Sequence, residues 1–142
     1  MARNGRGLYL QNSAVNSLTD NRLEENGVGV FMTGGSERNQ FSDNRFERNL
    51  VQVYEDHGGD NSWTIEGRGN FWSDYAGFDW NGDGIGEIPY RLQTTTSALM
   101  ARRPAARWFW MSPMFALVDW WNTQTVMTDP LSIDSAPLTV ER

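Results

Sequence analysis

The chain has 142 residues, with 12 basic and 18 acidic side chains and a formal charge of −6. That is the length of one domain, and the acidic balance argues against a nucleic-acid binder, which needs a basic face. Cysteine is absent, every cation is an arginine, and histidine occurs once, at His57; disulfides, thiolate sites, lysine Schiff bases and multi-histidine metal centres are thereby removed.

Hydrophobic residues make up 39%, alongside 14 glycines and 7 tryptophans, a mixture suited to short strands and tight turns rather than to a helical bundle. The opening residues, Met1-Ala2-Arg3-Asn4-Gly5, hold no apolar leader core, so the reading is of a chain without a signal peptide. No apolar run reaches the roughly 18 residues that would suggest a membrane span.

From Gly5 onward the chain repeats. Gly5–Asn26 aligns with Gly27–Asn49 through Gly7/Gly29, Leu8/Val30, Leu10/Met32, Asn16/Asn39, Leu18/Phe41, Asn21/Asn44, Leu23/Phe46 and Asn26/Asn49. A weaker third unit follows, with Val53 after Val30, Trp63 after Phe41, and Arg68 where Leu23 and Phe46 stood. A period of 22–23 residues fits a leucine-rich repeat or one coil of a parallel β-helix. The apolar positions exchange Leu, Val, Met, Phe and Trp, and each unit holds three short apolar patches beside turn residues. We therefore read residues 1–70 as coils of an all-β, right-handed parallel β-helix, in preference to an antiparallel meander, which has no reason to repeat at this period. On this reading Leu18, Phe41 and Trp63 form one internal ladder, and Leu23 and Phe46 another. The asparagines are expected at the corners in left-handed backbone, where their side chains stack. Two and a half coils are too few for a stable solenoid, so the expectation is the C-terminal end of a longer one.

Residues 71–92 read as an aromatic and Gly/Asp loop. Asp79-x-Asn81-x-Asp83-Gly84 follows the start of an EF-hand calcium loop, with oxygens at positions 1, 3 and 5 and glycine at 6. The Ile85 carbonyl and Glu87 would supply further ligands, whereas Tyr90 stands where a bidentate glutamate belongs. The pattern supports a structural calcium site, or a Gly/Asp turn without an ion.

Residues 93–142 read as a capping or docking tail. Arg103 and Arg107 precede an apolar run holding Trp108, Trp110, Phe115, Trp120 and Trp121. From Pro113 the spacing is helical, with Ser112 as N-cap. One role is to close the open end of the coils. The other is docking, with aromatic and cationic side chains against a membrane partner or its interface.

The run GNFWSDYAGFDWNGDGIGEIPYR (residues 69–91) behind Asn-rich repeats, with Arg103-Pro104, Trp110–Leu117 and Thr128-Asp129-Pro130 downstream, closely resembles the C-terminal part of the NosD family. The resemblance implies a non-enzymatic, periplasmic copper-binding accessory protein for maturation of the copper-sulfide site of nitrous-oxide reductase. It implies an ABC-type ATPase, its membrane subunits and a copper chaperone as partners. Cuprous ion favours thioether and imidazole donors, which directs attention to Met111, Met114 and His57, although apolar packing is the better account of the methionines and a plain loop position of the histidine. The alternative reading is a carbohydrate-binding or carbohydrate-cleaving β-helix, with Asp56, Asp60 or Glu66 beside His57 and with Trp63, Phe71, Trp72 and Tyr75 stacking on a sugar.

Overall fold

The computed structural model describes residues 2–56, 60–92 and 132–139. Its secondary structure there is entirely β, with no helix among the described residues. The ten strands are β1 (Arg6–Gln11), β2 (Ser17–Thr19), β3 (Arg22–Glu24), β4 (Val28–Thr33), β5 (Gln40–Ser42), β6 (Arg45–Glu47), β7 (Val51–Glu55), β8 (Phe71–Trp72), β9 (Tyr90–Arg91) and β10 (Ile133–Asp134). The helix expected from Pro113 lies outside the described residues.

Each repeat contributes one strand to each of three parallel sheets, ordered β1-β4-β7, β2-β5 and β3-β6-β8. The second sheet is extended by a parallel bridge from Gln40 to Ser62. The register is that of the repeat: Leu8 opposes Val30, Leu18 opposes Phe41, Leu23 opposes Phe46 and Val30 opposes Val53. Inward positions stack by identity. Phe41 lies on Trp63 with ring centroids 4.1 Å apart and planes 8° from parallel, and Phe46 lies on Trp72 at 4.3 Å and 10°. With Val30, Met32, Val53 and Leu92 these rings form the main core, and each of the four rings is at most 1% exposed. The opposite face of the first sheet carries its own stack, Tyr9 on Phe31 on Tyr54, with the Arg6 guanidinium 4.0 Å from the Phe31 centroid.

The third unit differs from the expected alignment at one point. Ile65 and Arg68 pair with each other across a tight turn through Glu66 and Gly67, both at positive φ. This excursion lengthens the spacing, so Trp72 rather than Arg68 takes the position of Leu23 and Phe46. Arg68 instead points outward, its Nη2 2.6 Å from Asp43. The inward position demands an apolar ring, and a guanidinium there would be a buried, unpaired charge.

The corners also depart from the expectation. At seven ladder asparagines the left-handed backbone falls on the preceding residue: Arg3, Val15, Asp20, Glu25, Arg38, Asp43 and Arg48 all have φ between 48° and 59°, whereas Asn12, outside the ladders, is itself left-handed at 49°. The asparagine that follows is thereby aimed inward along the stack. Asn21 donates from its backbone N (3.0 Å) and its Nδ2 (3.1 Å) to Asn44 Oδ1, and Asn44 does the same to Asn70 Oδ1 at 3.2 and 2.9 Å. Parallel ladders run Asn16-Asn39-Asn61 and Asn4-Asn26-Asn49. The amides of Asn39 and Asn44 also reach back to a carbonyl of the preceding repeat, Asn39 Nδ2 to Ser13 O at 3.0 Å and Asn44 Nδ2 to Leu18 O at 2.8 Å. Glycine is required beside one of these ladders: a Cβ on Gly29 would lie 2.5 Å from Gln52 O and 3.2 Å from Asn49 Nδ2.

Candidate functional site

Every ladder sends its N–H donors toward the C-terminal side, so the last rung must meet acceptors. All three do. Asn49 Nδ2 donates to Gln52 Oε1 (2.9 Å), Asn61 Nδ2 to Glu55 Oε1 (2.7 Å), and Asn70 N to Asp134 Oδ2 (2.7 Å). Asp134 is fully buried and accepts from four groups at normal distance: Asn70 N and Trp72 Nε1 on Oδ2, Thr64 Oγ1 and Ala136 N on Oδ1. Burial pushes its pKa up, and the hydrogen bonds from Trp72 and Asn70 oppose that shift. Glu55, also buried, is raised by the same cause and receives the Ser132 hydroxyl. The return segment 132–139 is thus fastened to the last rungs of two of the asparagine ladders by two buried carboxylates. Leu138 completes the closure by bridging both Phe71 and Ile85. Neither carboxylate was identified from the sequence, because their partners are distant in the chain: Asn70 is 64 residues from Asp134, and Glu55 is 77 from Ser132.

The Gly/Asp loop projects beside this closure. Asp79 accepts from Gly82 N (2.7 Å), Gly84 N (2.8 Å) and the Thr139 hydroxyl (3.3 Å). These hydrogen bonds, led by Gly84, hold its carboxyl below the ordinary value. Asn81 Oδ1 accepts from Asp83 N, and Asp83 accepts from Ile85 N and Asn81 Nδ2. Glu87 spans the loop to take Trp80 N on both oxygens at 3.1 Å. Gly86 N is bonded to Pro137 O, and the Tyr75 hydroxyl to Ile88 O. The five residues expected to hold calcium are therefore brought together as a nest of turns whose oxygens face N–H donors. No group of three or more acidic or imidazole side chains converges to hold a metal among the described residues. These hydrogen bonds close the turn on itself and leave the calcium reading an expectation of the sequence.

Of the proposed copper donors, Met111, Met114 and His57 lie outside the described residues. So do the expected docking residues Arg103, Arg107, Trp108, Trp110, Phe115, Trp120 and Trp121. Among the described residues the only thioether is Met32, 1% exposed within the core. The sugar-stacking set does not assemble either: Trp63 and Trp72 are buried as the ladder's rungs, and Phe71 lies under the Arg45 guanidinium at 4.6 Å.

Residues 1–77 match the family model described as periplasmic copper-binding protein (NosD). This chain belongs to the NosD family. Two curated NosD proteins, each named a probable ABC transporter binding protein, extend the likeness. The one from Stutzerimonas stutzeri is 36% identical over 135 residues, covering 94% of this chain and 31% of its own length. The one from Pseudomonas aeruginosa is 33% identical over 135 residues, covering 94% of this chain and 32% of its own. The chain thus spans about a third of the length of these NosD relatives. Their alignments run past the family-model match, which ends within the Gly/Asp loop region at residue 77.

Proposed function

We propose that the chain is the C-terminal coil end of a NosD-type copper-handling accessory protein, a right-handed parallel β-helix acting in the periplasm without catalysing a reaction. In this reading it works with an ABC-type ATPase, its membrane subunits and a copper chaperone. The copper it handles is cargo destined for the copper-sulfide site of nitrous-oxide reductase. In this reading residues 1–70 form the coils, 71–92 the loop, and 93–142 the segment that closes the coil end and meets the transporter. Copper, if held by this part of the protein, is held by soft donors such as Met111, Met114 and His57.

The observation carrying the reading is the likeness of nearly the whole chain to two proteins named for binding an ABC transporter, together with the family match over the coils. The coils supply what such a scaffold needs: a rigid stack in which every corner amide is hydrogen-bonded along the axis. The test is co-expression of the complete protein with the transporter ATPase and membrane subunits. Co-purification of the three, together with copper-deficient nitrous-oxide reductase in a strain lacking the protein, is the expected result. Failure to associate, with reductase fully loaded in the deletion strain, refutes the reading.

A further inference from the structure

We infer that the tip of the Gly/Asp loop, Phe78, Trp80 and Ile88, is a preformed protein-docking knob, accepted by an apolar pocket with a cationic rim on the transporter partner. The inference deepens the accessory reading and rests on it. Scattered apolar side chains on a surface need no explanation. These three are different in exposure, in rigidity and in setting.

Trp80 is 82% exposed, Phe78 63% and Ile88 52%, the largest such cluster close together in the described chain. The Phe78 and Trp80 rings meet edge to face, with centroids 6.5 Å apart. Glu87 N donates to Phe78 O and the Glu87 carboxylate receives Trp80 N, so residues 78–80 and 87–88 are tied across the loop. The base is equally constrained. The Tyr75 hydroxyl end sits where a Cβ on either Gly77 or Gly86 would lie, at 2.0 and 2.1 Å, and it bonds Ile88 O. A loop held this way presents its tryptophan without the ordering cost that a mobile loop meets on binding. Exposed tryptophan on a rigid support is the typical anchor of a protein interface.

Charge selects the occupant. Asp79, Asp83 and Glu87 lie in the same loop as the knob, with their oxygens facing loop N–H donors. An anionic headgroup surface or a nucleic acid repels such a rim, whereas a protein pocket edged with arginine or lysine complements it.

The test uses the complete protein and the detergent-solubilised transporter membrane complex, with binding measured for wild type, Trp80→Ala and Ile88→Ala. Trp80→Ala is expected to weaken binding roughly tenfold or more, and Ile88→Ala less, with melting temperatures unchanged because both side chains are exposed. Tight wild-type binding that Trp80→Ala leaves intact overturns the knob and leaves the accessory reading standing. Absence of wild-type binding removes both. Trp80-dependent binding to vesicles containing phosphatidylglycerol, without binding to the complex, overturns the protein pocket in favour of lipid.

Discussion

Asp134 Oδ2 stands 2.7 Å from Asn70 N, in the place that an asparagine Oδ1 occupies one rung earlier, where Asn44 N meets Asn70 at 3.2 Å. The ladder therefore ends on a residue that can only accept when ionised. A further asparagine would set an amide NH2 against the donors that Asp134 accepts. The buried carboxylate is the stop of the repeat.

Asp134→Asn tests this directly. Both oxygens face N–H donors, Asn70 N and Trp72 Nε1 on one and Ala136 N on the other. Either orientation of an amide thus sets an NH2 against a donor. Despite removing a buried charge, the variant is expected to lose about 2–3 kcal/mol, read by denaturant titration.

Two tryptophans in the same core should respond unequally to phenylalanine. Trp72 Nε1 donates to Asp134, whereas Trp63 Nε1 is buried without a hydrogen-bond partner. Phenylalanine also already fills the Trp63 ladder position one coil earlier, at Phe41. Trp72→Phe is expected to cost at least about 1 kcal/mol more than Trp63→Phe, measured as a difference in unfolding free energy.

The asparagine ladders predict a gradient along the stack. Asn44 is 1% exposed, accepts from Asn21 and donates to Asn70 and Leu18 O. Asn21 donates to Thr19 O and to Asn44 at the first rung. Asn44→Ala leaves several buried groups unpaired and should cost about 2–4 kcal/mol, with Asn21→Ala near 1 kcal/mol. Equal losses, measured by chemical unfolding, contradict the ladder.

Acid should unfold the coils through Glu47 and not through the ladder stops. The hydrogen bond from Arg45 holds the Glu47 carboxyl below the ordinary glutamate value. Its stabilisation is therefore complete above that value and is lost as pH falls through the lowered one. Glu55 and Asp134 are raised by burial, so their contribution moves oppositely: it is largest below the ordinary carboxylate range and declines as pH rises through the raised value. Glu47→Gln is expected to flatten the fall in stability between roughly pH 5 and pH 3, followed by melting at several pH values.

The loop offers a check on metal chemistry. Asp79 is engaged by Gly82, Gly84 and Thr139, so Trp80 fluorescence and its quenching should be unchanged by calcium or chelator. Asp79→Ala should increase quenching, since the turn then loses the acceptor that closes it. A calcium-dependent change in the wild type refutes this assignment.

The period of the sequence, by itself, determined the parallel pairing. Only stacked strands bring residues 22–23 apart into register, and the identity of Leu18, Phe41 and Trp63 was enough to name one internal ladder. Composition likewise excluded whole classes of chemistry without coordinates. Three things were decided by the tertiary structure alone. The tight turn at Ile65–Arg68 handed the Phe46 ladder to Trp72, because packing overrides alignment where a guanidinium would be buried. At seven ladder asparagines the left-handed residue precedes the asparagine, a backbone choice that aims the amide down the axis. The acceptors that end the ladders, Asp134 and Glu55, come from or bind a segment remote in the chain, and no local pattern announces a carboxylate whose donors assemble only when the coils are stacked.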